Sequence, residues 1–544
     1  MTDADATKVE WYDWGAEPFE VAERTGRPIL LALVTSWAEE CTEMDTTTYA
    51  EPAIAANIND SFVPIRVDAD KHPRVRERYN MGGFPSTVFL TPEGEILTGA
   101  TLLKINGFRG ILDKVRMTWD SKGVEAGSLP RALRETDHPA GTVDHRVEEK
   151  MIEQLLAAYD GEFGGWGTDS KFPMPRTVEF ALVRARDQAT RTLEAVHTHL
   201  NDTYDGGFYR VARNRNWGAV RREKLLDENA AIVRAFSHAY RYTGEETYRE
   251  AAESGVEYLT STLWTGDGFA ASQGGNEEYF TLGAADREEA DRPVVDETVL
   301  ADRNGLAIDG LLWYVAYTDD ERARRRATQA REHVCETLVD DDGRVSHYGG
   351  EDAESGLLLD QARLLTGLTT SWQVAGEPGP AADVAEWTIE ALRADDGAFR
   401  DGPAEGAGLL DMPLYPLDTT TEFADALLDF SLLTGEERYE TVAREALAAY
   451  AGATDRMGVE VAHYATVAAR LQQPTVVAVG TEDGTDLHRA ALRLADHETV
   501  VAVQSDGATS VADDVPDGEA QLRVDSSVEG TADSPAALES LLTD

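Results

Sequence analysis

One recurring pair of features constrains this chain most: an Asp-Gly turn followed by a polar start to an amphipathic helix. The stretch from Asp205 to Asn229 contains both, since its turn presents Phe208 and its Asp-Glu-Asn run opens a helix. Further Asp-Gly turns begin at Asp160, Asp267, Asp342 and Asp396, and further polar helix starts lie at Asp302, Asp360 and Asp418. Such alternation is the signature of an array of helical pairs.

Helical periodicity between residues 143 and 471 gives this repeat its architecture. Apolar residues recur at intervals of three and four from Ile232 to Tyr240 and again from Phe423 to Phe430. Such segments predict twelve helices, at 145–159, 174–187, 189–202, 227–242, 246–263, 302–317, 321–338, 357–374, 381–393, 419–434, 437–451 and 458–471. Tight turns join successive helices, and the first helix is left to pair with the last. The sequence therefore predicts an (α/α)6 toroid of six inner and six outer helices.

The segments on either side of the toroid alternate strand and helix. Residues 1–120 predict an α/β sandwich with buried strands such as Ile29–Val34, and residues 121–142, which contain several glycines and prolines, predict a linker. Residues 472–544 predict a small α/β appendage that begins with the strand Thr475–Val479. The predicted fold class is thus multidomain.

The charge of the chain excludes some partners. Its 544 residues include 100 acidic and 50 basic ones, a formal net charge of -50. Such a surface repels nucleic acids and anionic membranes, and it is typical of a halophilic protein whose self-repulsion is screened by salt. No secretory signal and no apolar run near the roughly 20 residues of a membrane span are visible, so we expect a cytoplasmic protein. The oligomeric state is left open.

Several motifs occur together in one known family. They are Val9-Glu10-Trp11-Tyr12-Asp13-Trp14-Gly15, Arg27-Pro28-Ile29-Leu30, Gly83-Phe84-Pro85, Ser170-Lys171-Phe172-Pro173, Asp205-Gly206-Gly207-Phe208 and Glu223-Lys224-Leu225-Leu226-Asp227. In this combination the chain resembles the spermatogenesis-associated protein 20 family. The resemblance spans most of the chain and implies a thioredoxin-like domain joined to a toroid similar to six-hairpin glycosidases and sugar 2-epimerases.

The chain departs from that family at its redox motif. The family usually shows Cys-His-Trp-Cys-His where this chain has Ala38-Glu39-Glu40-Cys41-Thr42. Dithiol exchange needs an attacking thiolate and a resolving thiol, and no cysteine precedes Cys41. We therefore expect a thioredoxin-like domain without redox activity, in which Cys41 and the loop residue Pro85, expected to be cis, are vestiges. The acidic residues Glu39 and Glu40 are expected to raise the pKa of Cys41.

The topology predicts where a binding site would lie. Every Asp-Gly turn follows an outer helix, so all turns and all inner-helix N-termini meet at one mouth of the ring. Asp227, Asp302, Asp360 and Asp418 would cap these helices, and aromatic residues of the turns would line the opening, as in carbohydrate sites. The predicted catalytic residues are Lys171, Glu223, Lys224 and Asp227. The predicted substrate-binding residues are Phe208, Trp217, Asn229, Asp302, Asn304, His347 and Asp360.

The reaction is left open between several possibilities. A sugar isomerase or epimerase could use His347 and His463 for proton transfer, whereas a glycosidase would use two carboxylates among Asp296, Asp302 and Asp360. The expected ligand is a small carbohydrate, and no zinc-ligand spacing or phosphate-binding loop predicts a metal or cofactor. The alternative is a non-enzymatic interaction protein, whose mouth is plugged by its own loops and whose aspartates and phenylalanines are only caps and core residues.

Overall fold

A computed structural model describes residues 7–134, 137–505 and 507–543. Its first part is a four-stranded sheet of order β2-β1-β3-β4, in which β1 is parallel to β2 and antiparallel to β3. The central strand β1 is an unbroken apolar run that is buried along its whole length. The elements are α1 (Ala16–Thr25), β1 (Ile29–Val34), α2 (Glu39–Thr46), α3 (Pro52–Ser61), β2 (Val63–Asp68), α4 (Pro73–Tyr79), β3 (Ser86–Leu90), β4 (Ile96–Ala100), α5 (Ile105–Lys122) and α6 (Arg131–Arg134).

The middle of the chain is a ring of helices with short strands in its loops. In chain order these are α7 (His145–Ala158), α8 (Pro175–Arg184), α9 (Arg186–Leu200), β5 (Val211–Ala212), β6 (Val220–Arg221), β7 (Lys224–Leu225), α10 (Leu226–Thr243), α11 (Glu246–Ser261), β8 (Ser272–Gln273), α12 (Glu277–Phe280), α13 (Ala284–Glu289), β9 (Val295–Asp296), α14 (Ala301–Thr318), α15 (Glu321–Leu338), α16 (Leu358–Ala375), α17 (Ala381–Leu392), α18 (Leu417–Thr434), α19 (Glu437–Ala448) and α20 (Ala462–Gln472).

The inner helices close into a circle. They are α8, α10, α14, α16, α18 and α20; each contacts the next, and α20 contacts α8. Five of the outer helices each pack on the inner helix that precedes them in the chain, namely α9 on α8, α11 on α10, α15 on α14, α17 on α16 and α19 on α18. The remaining outer helix, α7, packs on α20. The predicted (α/α)6 toroid, with its first helix paired to its last, is confirmed.

Glycines let the inner helices approach each other closely. A Cβ atom on Gly305 would lie 2.4 Å from the carbonyl oxygen of Arg363, so α14 and α16 touch backbone to backbone. A Cβ atom on Gly310 would lie 2.5 Å from the carbonyl oxygen of Ala230, which brings α10 equally near. No real Cβ atom tolerates such distances, so this packing requires glycine.

The repeated polar helix starts hold the repeated turns. The amide of Asn229 accepts a hydrogen bond from Phe208 N at 2.7 Å and donates one to Phe208 O at 3.1 Å. Asn304 makes the same pair of bonds to Phe269, at 2.9 and 3.0 Å. The polar helix starts that repeat in the sequence therefore clamp the turns that precede them. The sequence predicts that Asn229 and Asn304 bind substrate, but their side chains bind backbone groups of these turns.

The last part of the chain forms a second small sheet. Its elements are β10 (Thr475–Val479), α21 (Asp486–Leu494), β11 (Val500–Val503), β12 (Ala520–Val524), β13 (Ser527–Ala532) and α22 (Pro535–Thr543). The strand order β11-β10-β12-β13, with one parallel and two antiparallel pairings, repeats that of the first sheet. This unit lies against the C-terminal ends of the inner helices, where Val501 N donates to Gln373 Oε1 at 3.1 Å.

Some elements differ from those predicted. The sequence predicts one helix over Trp37–Asn59, where the structure has two, α2 and α3, and it predicts no helix at α1. The strand β13 was missed because it is a polar edge strand with most of its residues exposed, so it lacks the apolar alternation of a half-buried strand. In the predicted linker, Leu133 is buried in the same apolar cluster as Tyr79. None of the described helices is both long and apolar enough to cross a membrane.

Candidate functional site

The thioredoxin-like domain covers the mouth of the toroid. Asp70, two residues after β2, lies at the centre of this contact. Its carboxylate accepts from Arg303 of α14 at 2.7 Å and from the indole of Trp37 at 2.9 Å, and its carbonyl oxygen lies 2.7 Å from His347 Nε2. Asp70 and Arg303 are both buried, so the two domains share a desolvated ion pair at the mouth.

Further ion pairs join the two domains around this centre. Arg78 of α4 pairs with Asp401 at 2.6 Å, and Arg221 pairs with Glu40 at 2.6 Å. Because these contacts lie around the opening, the mouth of the toroid lies between the two domains and not on the surface. The space between the domains at the mouth is called the chamber.

Cys41 lies inside this interdomain contact. It is 1% exposed and packs with Trp37 and Ala38 against Leu225 of the toroid. Burial raises the pKa of Cys41 to about 12, and the nearby carboxylate of Asp45 adds to the effect. The thiol therefore stays protonated and covered. The peptide bond before Pro85 is cis, as the sequence predicts.

The acidic residues at the starts of the inner helices do not cap them. Asp227, Asp302 and Asp360 lie within the first turns of α10, α14 and α16, and the residues at the N-cap positions make no side-chain cap hydrogen bond. The same holds for Asp418 in α18. None of the four residues caps its own helix, so the capping role expected from the sequence is wrong.

Two arginines connect these carboxylates into a network. Arg363 of α16 donates to Asp302 Oδ2 at 3.0 Å and to Glu422 Oε2 at 2.9 Å. Its guanidinium group also lies 3.9 Å from Asp227 Oδ2, and Arg303 lies 3.8 Å from Asp227 Oδ1. Asp227, Arg363 and Glu422 are each 16–24% exposed at the side chain, so this part of the network is open to a ligand.

Asp227 and the neighbouring Glu228 have opposite electrostatic environments. Burial opposes ionisation of Asp227, but Arg303 and Arg363 outweigh it and hold its pKa below the usual value. Burial raises the pKa of Glu228 to about 7, against the opposing effect of Arg210. Asp227 Oδ1 and Glu228 Oε2 are buried and have no hydrogen-bond partner among the described residues. Both oxygens could therefore accept a hydrogen bond from a ligand.

His347 lies deeper, beneath the thioredoxin-like domain. Its Nδ1 is 2.8 Å from Asp360 Oδ1. Burial alone would lower the pKa of His347, but the carboxylates of Asp360 and Asp302 outweigh it and raise the pKa to about 9. The backbone N–H of Asp302 also donates to Asp360 Oδ1 at 3.2 Å, so the three residues form one cluster.

A cavity opens beside this network. It has a volume of about 470 Å³ and lies between α4 of the thioredoxin-like domain and the N-termini of α16 and α18. This size suits a small ligand. Charged and ring-bearing side chains line it, among them Arg76, Glu77, His138, Arg363, Tyr415 and Asp418.

The two predicted catalytic lysines lie outside this chamber. Lys171 donates to Asp160 Oδ2 at 2.9 Å and Lys224 donates to Asp202 Oδ2 at 2.8 Å, and both lysines are fully buried. Each ammonium also binds a carbonyl oxygen of the turn that follows its aspartate. The compact lysine head thus fixes an Asp-Gly turn, and Lys224 is paired with Asp202 and not with the other predicted catalytic residues Glu223 and Asp227.

The other predicted residues divide between chamber and core. Glu223 is buried and lies 3.6 Å from Arg210, the same arginine that binds Glu228, so it belongs to the edge of the chamber. Phe208 is 1% exposed and stacks on Phe236. Trp217 is 2% exposed and donates to Phe163 O at 2.9 Å. These two aromatic rings fill the core and do not line the mouth as predicted.

The lumen below the mouth is filled with ion pairs. Arg234 binds Glu179 at 2.8 Å and also pairs with Asp309, while Arg470 pairs with Asp425. His463 Nε2 lies 2.8 Å from Asp425 Oδ2, so His463 and His347 have separate carboxylate partners and do not form the facing pair considered from the sequence. Only a cavity of about 50 Å³, enough for ordered water, remains among the described residues here.

The carboxylates considered for glycoside hydrolysis are too close together. One oxygen of Asp302 and one of Asp360 lie within 4.8 Å of each other, below the roughly 5–10 Å that separates the carboxylates of glycosidases. Asp296 instead accepts from Ser36 of the thioredoxin-like domain at 2.7 Å. This geometry does not favour a glycosidase built on these three residues.

Sequence reasoning missed Asp70, Arg303, Arg363, Glu228 and Glu422. Arginines within the first two turns of inner helices are a signal that could have indicated Arg303 and Arg363, because a buried guanidinium requires carboxylate partners. Asp70 had no such signal, since its partner Arg303 is 233 positions away.

Comparison with known proteins shows which family the first part of the chain resembles. Residues 1–134 match the family model Thioredox_DsbH, described as a protein of unknown function, DUF255. Human spermatogenesis-associated protein 20 is 28% identical over 296 residues, which cover 47% of this chain. The predicted resemblance is confirmed. The match takes in 37% of the human protein's length, so it extends over well under half of that relative.

Two solved structures are similar to part of this chain. A sugar epimerase from a ruminal bacterium is 13% identical, with a TM-score of 0.44 over 55% of this chain and 84% of its own. Cellobiose 2-epimerase from Bacillus thermoamylovorans is 12% identical, with a TM-score of 0.44 and the same coverage. At these values neither structure says what this chain binds.

Proposed function

We propose that the chamber between the thioredoxin-like domain and the toroid binds a small carbohydrate and transfers protons on it, as a sugar isomerase or epimerase does. The observation that carries the proposal is the pair of buried acceptor oxygens without described partners, Asp227 Oδ1 and Glu228 Oε2. Asp227 lies 3.9 Å from Arg363, which lines the open cavity. Buried polar groups in folded proteins are almost always hydrogen-bonded, and sugar hydroxyls are suitable donors.

The electrostatics supply the proton-transfer step. A general base or acid works best when its pKa lies near the working pH, and the pKa of Glu228 is raised to about 7. The lowered pKa of Asp227 keeps that carboxylate ionised, so it would hold hydroxyls while Glu228 takes up and returns a proton. Arg363, at the edge of the cavity, would stabilise negative charge on the sugar oxygen.

Deuterium exchange and thermal shift test this proposal directly. The full chain is incubated in D₂O and molar KCl with a panel of aldoses and ketoses, and exchange at the carbon next to the carbonyl is followed by NMR. We expect exchange with at least one sugar, and that sugar should raise the melting temperature, because a ligand at 100 times its Kd stabilises by about 2.7 kcal/mol.

Two variants test which carboxylates take part in the proton transfer. Glu228→Gln should abolish exchange but keep the thermal shift, whereas Asp227→Asn should weaken both. The matched control is Glu257→Gln on the outer helix α11, an exposed residue away from the chamber. An exchange rate that is the same in Glu228→Gln and in the wild type would contradict the assignment of Glu228. No exchange and no shift with any sugar would contradict the function.

The thioredoxin-like domain is proposed to act as a fixed lid and not as an oxidoreductase. The burial of Cys41 against Leu225 supports this, because a covered and protonated thiol cannot attack a disulfide. We expect no insulin reduction by the full chain, and Cys41→Ser should leave sugar binding unchanged. Insulin reduction that disappears in Cys41→Ser would overturn this part of the proposal.

A second candidate is a non-enzymatic interaction protein. The buried Phe208 and Trp217 and the ion pairs that fill the lumen favour it, since these features plug much of the ring. In that case the open cavity would hold only water, and the sugar panel would give neither exchange nor a thermal shift.

A further inference from the structure

Three buried side chains with metal-binding atoms converge beneath the lid. Asp302 comes from α14, Asp360 from α16, and His347 from the loop before α16. One ligand atom of each lies within 4.8 Å of the other two. The three residues are 4%, 0% and 1% exposed, so the cluster is shielded from bulk water. These residues play no direct part in the proton transfer proposed above.

Each carboxylate of the cluster has one oxygen that no hydrogen-bond donor of the described residues reaches. Asp302 Oδ1 and Asp360 Oδ2 are buried and have no hydrogen-bond partner within the described ranges. The other oxygens of the two carboxylates are occupied, Asp302 Oδ2 by Arg363 and Asp360 Oδ1 by His347. A buried carboxylate oxygen without a donor is costly, and one cation could serve as the partner of both oxygens.

His347 is held as a metal ligand is held. The carbonyl oxygen of Asp70 can only accept, so His347 Nε2 carries a proton and donates it across 2.7 Å. Histidines that bind metals usually donate their second ring nitrogen to a carbonyl or carboxylate, which fixes the ring. The remaining nitrogen, Nδ1, faces the two carboxylates.

We propose that Asp302, Asp360 and His347 Nδ1 form a site for one divalent transition-metal ion of the Zn²⁺ type. Two carboxylates and one imidazole suit zinc better than magnesium or calcium, which prefer oxygen ligands alone. Binding replaces the Nδ1 proton of His347, which passes to solvent as the metal–nitrogen bond forms. Because Asp70 belongs to the thioredoxin-like domain, the lid supplies the carbonyl that orients the histidine.

Zinc uptake tests the proposal without any sugar and so separately from the proposed function. The full chain is treated with a chelator, dialysed into 2 M KCl to suppress binding to the acidic surface, and titrated with Zn²⁺ by calorimetry. We expect one tight Zn²⁺ per chain and no comparable Mg²⁺ binding. His347→Gln and Asp360→Asn should each weaken the tight Zn²⁺ at least 100-fold, and Asp302→Asn should weaken it too.

The matched control is His463→Gln, which removes a second buried histidine bound to a carboxylate, Asp425. It should keep the full zinc stoichiometry. The proposal would be overturned by equal zinc binding in all variants, or by a loss in His463→Gln as large as in His347→Gln. It would also be overturned if the wild type took up no zinc at 100 µM Zn²⁺. The Co²⁺ form of the wild type gives a second measurement: a spectrum of nitrogen and oxygen ligands supports the site, and thiolate charge-transfer bands contradict it.

Discussion

For single residues, the sequence indicated which positions are unusual more often than it indicated what their side chains do. Lys171 and Lys224 are two of the eight lysines in this chain, and the structure gives both of them structural contacts in the core. A compact ammonium reaches both an aspartate and a turn carbonyl inside the core, which the broader guanidinium group could not do in the same space. Sequence alone could not distinguish a structural lysine from a catalytic one, because the partner Asp202 lies 22 positions before Lys224.

The buried pair of Lys224 and Asp202 gives a prediction for stability. Lys224→Met leaves a buried carboxylate with only Arg287 as its cationic partner, so we expect a loss of about 3 kcal/mol in the free energy of unfolding. Sugar binding and zinc uptake should remain. Chemical denaturation in molar salt measures the loss.

The control for this change is Lys150→Met, which removes a lysine from an exposed ion pair with Asp455. That variant should lose less than about 1 kcal/mol, because exposed pairs contribute little. Equal losses in the two variants would show that burial of the Lys224 pair does not matter.

Glu228 gives a prediction that depends on pH. Its pKa in the folded protein is about 7, above the roughly 4.3 of an unfolded chain, so the folded state binds the extra proton between these values. Stability contributed by the protonated form is therefore lost as the pH rises from about 4.5 to 7. Glu228→Gln should be more stable than the wild type by about 1–3 kcal/mol at pH 8. The advantage should vanish at pH 4.5.

Denaturation at the two pH values measures this difference. Glu257→Gln is the control, and it should change the unfolding free energy by less than about 0.5 kcal/mol at either pH. If the wild type and Glu228→Gln were equally stable at pH 8, ionisation of Glu228 would not lower the free energy of unfolding.

At the level of elements, the long periodic helices were predictable and the contacts between domains were not. The inner and outer helices each repeat an apolar face over many turns, so their number and pairing followed from the sequence. The closure of the mouth depends on Asp70, Trp37 and Arg303, which share no local pattern. The clamp made by Asn229 and Asn304 was visible as a repeat, but its hydrogen bonds to backbone could be seen only in three dimensions.

The contact between α14 and α16 gives a prediction for the toroid itself. Gly305→Ala would place a methyl group 2.4 Å from the carbonyl oxygen of Arg363, so the helices must separate. We expect a loss of about 3 kcal/mol or more in the free energy of unfolding, as for an overpacked core. Because Arg363 borders the cavity, sugar binding should weaken as well.

The matched control is Gly110→Ala in α5, where an added Cβ would meet nothing within 4 Å. In an open helical position this change should stabilise by about 0.4–1 kcal/mol. If Gly305→Ala were as stable as Gly110→Ala, the helices would not be held at the distance seen here.

At the scale of the whole molecule, the toroid is closed at both ends by sheets of the same topology. The first sheet belongs to the unit that covers the N-terminal mouth through Asp70, and the second lies at the far end through contacts such as Glu498 with Arg184 at 2.9 Å. A ligand can therefore approach from the side, as through the cavity beside α4, whereas the lumen is filled with ion pairs and is covered at the far end. Specificity should depend on the lid as much as on the ring.

The net charge of -50 gives the last prediction, which concerns the stability of the whole molecule in salt. Repulsion among surface carboxylates falls as the Debye length shortens from roughly 30 Å at 0.01 M salt to 3 Å at 1 M. The buried pairs at the mouth, such as Asp70 with Arg303, are screened much less, so salt should remove repulsion while leaving the lid attached. We expect the melting temperature to rise steeply from low to molar KCl. Sucrose at equal osmolality, which screens no charge, should give a much smaller rise. A melting temperature that stays flat in KCl, or that rises equally in sucrose, would show that charge repulsion does not limit the stability of this fold.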